Sequence, residues 1–255
     1  MHDFLEAENK AMSKVYDALQ NAYREKKGDE NLPEILLPKD NGPQPPGHEI
    51  GEQMLSLYQS IDILLPQVKQ RTIQFIGSRP GEGTSTIARE FARICATQIG
   101  KSVLLLDGDR HQSTQGHFFG IHKKYGWIDA MVKAGSVDEA IHQIGECKLF
   151  VSPSSNSSTS TPEIFDSPRF EGFWRSLRAR FDLILIDSPP FTVSPDGLAI
   201  ASRVDGVILV VEADKTRWQT AKNVKERITR IGGNILGIVF NKRRYYIPQS
   251  IYKLL

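Results

Sequence analysis

The clearest candidate for a chemical site is a glycine-containing loop that follows an apolar segment and opens a helical pattern. Gly81 and Gly83 let backbone N–H groups approach a phosphate closely, and the N-terminus of the following helix favours its negative charge. The hydroxyl of Ser85 is placed to bind a magnesium ion. The spacing therefore predicts a nucleotide-binding loop. Its residues are Ser78, Arg79, Pro80, Gly81, Glu82, Gly83, Thr84, Ser85 and Thr86.

One part of a complete phosphate-binding loop is missing. The P-loop pattern has a lysine directly after the second loop glycine, where its ammonium reaches the β- and γ-phosphates. Thr84 occupies that position in this chain. Our hypothesis is that Arg79, five residues earlier, supplies part of the missing charge.

Three carboxylates follow two apolar segments and form the second candidate site. Asp107 and Asp109 come after SVLLL, and Asp187 comes after FDLILI. A carboxylate at the end of a buried strand is costly unless it is paired or lies in a site. Oxygen ligands of this kind suit a hard cation such as Mg²⁺. The alternative is that these residues are ordinary strand-end caps.

The elements that must position these residues are short apolar runs that alternate with helical patterns. Because most of the runs lack polar alternation, they are typical of strands that are buried on both faces. The pattern predicts an α/β fold, a doubly wound and mostly parallel sheet with helices on both faces, whose ligands bind at the carboxyl ends of the strands. The predicted strands are 72–77, 102–107, 148–151, 182–187, 206–211 and 234–240, and the predicted helices between them are 84–99, 126–142, 169–180 and 215–231.

The whole chain divides into four predicted regions. Residues 1–27 form an amphipathic helix, and the proline-rich residues 28–48 form an extended linker. The nucleotide-binding domain covers 49–242, and a basic tail with tyrosines covers 243–255. The Ser/Thr-rich segment 152–161 is interpreted as a surface loop, with a phosphorylation site or a ligand lid as the alternatives.

Composition excludes several classes of protein. The 255 residues include 32 Lys and Arg against 30 Asp and Glu, for a net charge of +2, and 40% are hydrophobic. Disordered, collagen-like and strongly basic nucleic-acid-coating proteins are therefore excluded. Two cysteines without a CxxC pair favour a reducing, cytoplasmic setting and no metal cage. We expect no membrane span, because no apolar run is long enough.

Five phrases in fixed order resemble the bacterial tyrosine kinases of capsule and exopolysaccharide synthesis. These kinases are P-loop NTPases of the deviant Walker type, related to cell-division and plasmid-partition ATPases. The resemblance covers about residues 49–242, and MSKVYDALQNAYREK near the N-terminus is also similar to the start of some members. The five phrases are PGEGTST, VLLLDGDR, FDLILIDSPP, DGLAIASRVDGVILVVEADKT and NILGIVFNK.

The resemblance implies a role for each site residue and implies ATP and Mg²⁺ as cofactors. Residues 79–86 would bind the nucleotide as part of Walker A, Asn241 would read the adenine, and TPEIFDS at 161–167 is similar to a further family segment. Asp107 and Asp109 would form the family's second acidic motif near the attacking hydroxyl, and Asp187 would be Walker B. The implied catalytic residues are Asp107, Asp109 and Asp187, and the implied metal ligands are Ser85, Asp107 and Asp187.

The resemblance also implies the substrate and the partners. Members phosphorylate their own C-terminal tyrosines in trans, which here would be Tyr245, Tyr246 and Tyr252 in a homo-oligomer. The alternative for these tyrosines is simple packing. The implied partner is a membrane chain-length regulator, or co-polymerase, that recruits a cytoplasmic kinase to the inner face of the membrane. No nucleic acid partner is expected, because the body of the chain is nearly neutral.

Departures from the family pattern keep a second function open. Thr84 replaces the loop lysine, Arg110 is displaced by one position, and Leu55 and Tyr58 stand where the family has arginines that drive ring assembly. The alternative is a nucleotide-binding regulator of the same pathway, a pseudokinase or ATPase switch with weak or no tyrosine kinase activity. A spatial-positioning ATPase and an iron–sulfur reductase are not supported, because a basic DNA-binding face, a membrane helix and paired cysteines are all missing from the sequence.

Overall fold

Seven strands of the chain pair side by side in one twisted sheet. A computed structural model describes residues 48–110, 113–122, 125–132, 136–154 and 168–243. The strand order is β3-β4-β2-β5-β1-β6-β7, and every pairing is parallel except that of β3 with β4. The strands are β1 (Arg71–Gly77), β2 (Val103–Asp107), β3 (His142–Gln143), β4 (Leu149–Ser152), β5 (Leu183–Asp187), β6 (Gly206–Glu212) and β7 (Ile235–Asn241).

Helices connect the strands and cover the sheet. Among the described residues they are α1 (His48–Leu64), α2 (Thr84–Thr97), α3 (Gln115–Phe118), α4 (Trp127–Val132), a 3₁₀ turn (Val137–Ala140), α5 (Pro168–Arg178), α6 (Asp196–Ala201) and α7 (Trp218–Arg230). No helix in this part of the chain is long and apolar enough to cross a membrane.

Successive strand residues point to opposite faces of the sheet, and each face has its own core. Leu105 belongs to the core that α1 and α2 cover, whereas Leu104 belongs to the core that α4 and α5 cover. A third cluster packs Leu209 of β6 beneath Val224 of α7. Because both faces are buried, apolar side chains fill most positions of the central strands, although Thr72 and Gln74 of β1 are buried polar residues, and the predicted doubly wound α/β architecture is confirmed.

The predicted helix over 126–142 is wrong. The α-helix ends at Val132, a 3₁₀ turn follows at Val137–Ala140, and β3 then pairs antiparallel with β4. Ser136 caps the 3₁₀ turn, because its side chain accepts a hydrogen bond from the Asp138 N–H. Such a local cap competes with helix continuation, although the apolar spacing runs on through it. The other helices and strands predicted between residues 72 and 240 agree with the structure to within a few residues at each end.

Leu55 and Tyr58, which the resemblance places at positions expected to hold arginines, pack from α1 against the larger core. These two positions of α1 therefore contribute apolar surface to the core and carry no charge. Several predicted features lie outside the described residues: the helix over 1–27, most of the linker, most of 152–161, the segment 161–167, and the tail tyrosines Tyr245, Tyr246 and Tyr252.

Candidate functional site

The glycine-rich loop lies between the carboxyl end of β1 and the first turn of α2. Gly81 and Gly83 have φ angles of +86° and +87°, in the left-handed region that glycine adopts most readily. At Gly83 a side chain is excluded twice, because a Cβ there would also lie 2.2 Å from Nδ2 of Asn241. Strand, glycine loop and helix N-terminus thus have the arrangement that binds phosphate in P-loop proteins.

Glu82 organises the loop from inside. Its side chain is buried, and its carboxylate accepts hydrogen bonds from the Ser78 N–H at 2.5 Å, the Ser78 hydroxyl at 2.7 Å and the Arg79 N–H at 3.0 Å. The hydroxyl of Thr216, from the segment before α7, donates a fourth hydrogen bond to the same carboxylate. A buried carboxylate with four donors is well compensated, so Glu82 acts as an internal brace for the loop.

Neither Thr84 nor Arg79 places a free positive charge at the position of the loop lysine. Thr84 is buried, and its hydroxyl points back toward β1, where a Cβ on Gly77 would meet it at 2.7 Å. Arg79 is partly exposed, with Nε 3.8 Å from the Glu82 carboxylate. The hypothesis that Arg79 supplies phosphate-binding charge stays a prediction, since its guanidinium lies beside an acidic partner.

Asp107 and Asp187 occupy the ends of the neighbouring parallel strands β2 and β5 and are register partners. Both carboxylates are fully buried. Asp107 accepts hydrogen bonds from the Ser113 hydroxyl at 2.8 Å, the Gln115 N–H at 3.0 Å and the Asp109 N–H at 3.1 Å. The structure therefore brings the predicted residues Asp107 and Asp187 together at this edge of the sheet, with the Asp109 N–H bonded to Asp107, and their function as a site stays a prediction.

Gln115, at the start of α3, links these carboxylates to the nucleotide-binding loop. Its side-chain N–H₂ donates to Oδ2 of Asp187 at 2.7 Å and to the backbone carbonyl of Ser85 at 2.9 Å. Its carbonyl oxygen accepts a hydrogen bond from Arg89 at 3.3 Å. Gln115 is a functional candidate that the sequence analysis missed, and no local motif distinguishes it.

Burial raises the pKa of both strand-end carboxyl groups. The pKa of Asp187 rises to about 7, chiefly because the charged form is desolvated and secondarily because Asp107 is negatively charged. The pKa of Asp107 rises to about 6 for the same main reason, although hydrogen bonds from Ser113 and Gln115 oppose the shift. A nearby cation would relieve this desolvation cost in both residues.

The oxygen atoms at this edge fit a magnesium ion. Oδ1 of Asp187 is buried and has no hydrogen-bond donor among the residues that the structure describes. The Ser85 side chain, in the first turn of α2, is close enough to stabilise the charge of Asp187. No group of three or more His, Cys, Asp and Glu side chains that could hold a metal occurs within the described ranges. Mg²⁺ needs none, because it binds through one or two carboxylates plus water and phosphate oxygens.

Asn241, the last residue of β7, lies against the outside of the loop. Its Nδ2 donates to the carbonyl of Glu82 at 2.8 Å, and its Oδ1 accepts the N–H of Lys242 at 2.9 Å. Both ends of the amide are thus engaged with the protein in this structure. Its predicted adenine-reading role stays a prediction that would require the amide to change partners.

Arg110, which follows the second acidic motif, forms an ion pair with α6. Its guanidinium donates to the buried carboxylate of Asp196 in α6, at 3.0 Å from Nη2 and 3.3 Å from Nε. Arg110, which is displaced by one position in the sequence, therefore links the second acidic segment to α6 through an ion pair.

Comparison with known proteins agrees with this geometry. The chimerical protein CapA2B2 superposes with a TM-score of 0.70 at 24% identity, covering 76% of this chain and 85% of that one, which shows a shared fold. The family model described as cellulose biosynthesis protein BcsQ matches residues 70–225. A relative named tyrosine-protein kinase CpsD, from Streptococcus agalactiae, is 30% identical over 168 residues, which are 64% of this chain and 72% of the relative.

The chain belongs to the family of BcsQ-like P-loop proteins and bacterial tyrosine kinases. The tyrosine-protein kinase YwqD of Bacillus subtilis is a further relative, 26% identical over 76% of this chain and 81% of its own length. The family resemblance inferred from the five sequence phrases is therefore confirmed. Thr84 occupies the position that the P-loop pattern gives to lysine.

Proposed function

We propose that this chain is an ATP-dependent protein-tyrosine kinase that regulates polymerisation and export of a capsular polysaccharide or exopolysaccharide. The observation that carries the proposal is the pair of register-matched carboxylates, Asp107 and Asp187, beside a phosphate-type loop. Relatives named tyrosine-protein kinases, at up to 30% identity, support the same activity.

The nucleotide and the metal have distinct sites in this proposal. Residues 79–86 bind the phosphates through backbone N–H groups, and Asn241 lies where the loop meets β7. Ser85, Asp107 and Asp187 would hold Mg²⁺, which would neutralise negative charge on the transferring phosphoryl group. Gln115 orients Asp187 through its side-chain amide and so sets the position of an oxygen that the metal requires.

The transfer itself needs positioning and one proton acceptor. The tyrosine Oη forms a bond to the γ-phosphorus, the bond from that phosphorus to the β–γ bridging oxygen breaks, and ADP leaves with the bond electrons. Asp107 and Asp109 orient the hydroxyl, and one of their carboxylates takes its proton.

The substrate and partners follow from the family. The chain phosphorylates Tyr245, Tyr246 and Tyr252 on another copy of itself, and the basic residues around these tyrosines complement the acidic edge of the sheet. The domain organisation serves this arrangement, with a leader helix at 1–27, a linker at 28–48 and a substrate tail at 243–255. A membrane chain-length regulator recruits the cytoplasmic kinase to the membrane.

Incubation of the full chain with γ-labelled ATP and Mg²⁺ tests the proposal. We expect label on the tail tyrosines, its loss in Asp187→Asn, and no change in Asp138→Asn, an exposed carboxylate that serves as the matched control. A mixture of Asp187→Asn with a chain whose three tail tyrosines are phenylalanine should label the Asp187→Asn chain, because transfer in trans needs one active site and one tail.

Two results would overturn the proposal in different ways. Nucleotide binding without any tail label would assign the chain to the class of nucleotide-binding regulators. If the chain bound no adenine nucleotide in the presence of magnesium, the proposed nucleotide-binding site itself would be refuted.

A further inference from the structure

Lys242, near the C-terminal end of the domain sequence, places its ammonium group against the glycine-rich loop. It directly follows β7, and its Nζ donates to the carbonyl of Gly81 at 2.5 Å, 161 residues away in the sequence. Its Cε would lie 3.9 Å from a Cβ built on Gly83. A lysine thus lies against both loop glycines, although the loop itself contains no lysine.

The backbone at Lys242 adopts a costly conformation that directs it there. Its φ is +58°, in the left-handed region that residues other than glycine seldom occupy. The Lys242 N–H donates to Oδ1 of Asn241, whose Nδ2 donates to the carbonyl of Glu82. The end of β7 therefore offers donors to two consecutive loop carbonyls, and the strained residue is the one with the positive charge. Strain of this kind is concentrated at functional sites.

The ammonium is held near the loop without being locked in an ion pair. Glu212, at the end of β6, is 2.6 Å from Nζ of Lys215 but 3.7 Å from Nζ of Lys242. The Lys242 side chain is 48% exposed, so solvent and ligands can reach it. Lysine carries its charge on a flexible four-carbon stem, and its ammonium can exchange one oxygen acceptor for another at small cost.

We propose that Lys242 supplies the phosphate-binding charge that Thr84 does not. This inference rests on the proposed nucleotide function and adds a phosphate-binding residue to it. The ammonium exchanges the Gly81 carbonyl and Glu212 for phosphate oxygens of the bound nucleotide, and Glu212 holds it at the loop until then. The competing interpretation is that Lys242 only braces the loop, as the amide of Asn241 does.

Binding measurements on the full chain separate the two roles. Lys242→Met should weaken the binding of Mg-ATP and of tripolyphosphate by about tenfold or more, and that of ADP by clearly less, because a charge-assisted contact to the terminal phosphate is lost. Lys242→Arg should keep most of the affinity. Lys215→Met is the matched control, since Lys215 contacts the same Glu212, and it should change neither affinity.

A double variant gives the sharpest test. In a Thr84→Lys background the loop has its own lysine, so Lys242→Met should cost much less ATP affinity than it does in the original chain. A brace would instead lower ATP and ADP affinity equally and by the same factor in both backgrounds, and that result would overturn the proposal. Thermal melting of each variant separates loss of fold from loss of binding.

The two proposals fail in different ways. An original chain that binds ATP, with a Lys242→Met variant that binds it equally well, refutes the role of Lys242 and leaves the kinase assignment intact. An original chain that binds neither ATP nor tripolyphosphate refutes both.

Discussion

Asp107 and Asp187 stand directly opposite each other at the ends of two paired parallel strands, and one residue binds them both. Gln115 donates its backbone N–H to Oδ2 of Asp107 at 3.0 Å and its side-chain amide to Oδ2 of Asp187 at 2.7 Å. Two adjacent buried carboxylates repel each other when both are charged, so the pair favours a shared proton or a cation. Metal affinity, pH dependence and stability are therefore coupled at this edge of the sheet.

The pH dependence of stability should reveal the buried pair. In the folded chain the pKa of Asp187 is about 7, whereas an unfolded aspartic acid has a pKa near 4. The folded state thus holds its proton more tightly, and the stability that comes from the protonated form is complete below about pH 4 and is lost as the pH rises through about 7. Asp187→Asn should raise the metal-free melting temperature at pH 8 and leave it nearly unchanged at pH 4.

Scanning calorimetry in the presence of a chelator measures this effect. Magnesium should recover stability at pH 8 in the original chain but not in Asp187→Asn. Equal pH profiles for the two proteins would mean that Asp187 is not desolvated as the structure shows.

Gln115→Leu should disturb the metal site more at low pH than at high pH. The variant removes the amide that stabilises charged Asp187, so the pKa of Asp187 should rise further. Magnesium affinity should then fall more at pH 6.5 than at pH 8.5, because protons compete for the carboxylate. Stability should fall by about 1–3 kcal/mol, since buried polar groups lose their partners. Titration calorimetry at both pH values checks the first point.

Gln143→Leu is the control for this variant, because the Gln143 side chain is exposed and bonds only locally to the Cys147 carbonyl. A loss of affinity in Gln115→Leu that is the same at both pH values would contradict the proposed link to Asp187.

Glu82→Gln should loosen the glycine-rich loop. The N–H groups of Ser78 and Arg79 donate to Oε2 of Glu82, and the hydroxyls of Ser78 and Thr216 donate to Oε1. The amide oxygen of glutamine can keep the first pair only as weaker, neutral hydrogen bonds, and its N–H₂ cannot accept from the two hydroxyls. We expect a loss of about 2–3 kcal/mol in the free energy of unfolding, with weaker nucleotide binding. Urea unfolding measures the first effect. Glu90→Gln makes the same charge change at an exposed pair with Arg93 and should cost less than about 1 kcal/mol. Similar losses in both variants would argue against a bracing role for Glu82.

Arg110→Met should destabilise the fold by leaving Asp196 uncompensated. Asp196 is only 2% exposed, and a buried carboxylate that loses its cation typically costs about 3–5 kcal/mol. Arg180→Met breaks a pair with Asp138 whose side chains are 41% and 77% exposed, so it should cost less than about 1 kcal/mol. The two denaturation midpoints decide the matter, and a small effect in Arg110→Met would show that solvent replaces the lost guanidinium.

Much of the fold was predictable because local patterns specify it. The runs VLLL and LILI are apolar at every position, which is typical of strands with two buried faces, and the positions of β2 and β5 follow from them. The segment 126–142 was wrongly predicted as one helix, since its apolar spacing continues through a turn that Ser136 caps. Spacing reports which residues are buried, and it does not report where a short polar cap interrupts the hydrogen-bond pattern.

Some features of the candidate site were likewise predictable from the sequence, and others were not. Sequence alone determined the glycine loop, the missing lysine at Thr84 and the strand-end positions of Asp107 and Asp187, because each depends on neighbouring residues and on the rule that parallel strands end at one edge. Only the tertiary structure decided that Gln115 bridges the two carboxylates, that Arg110 turns to Asp196 and that Lys242 reaches Gly81. Long polar side chains choose among many partners, and the choice depends on the packing of elements that are distant in the chain.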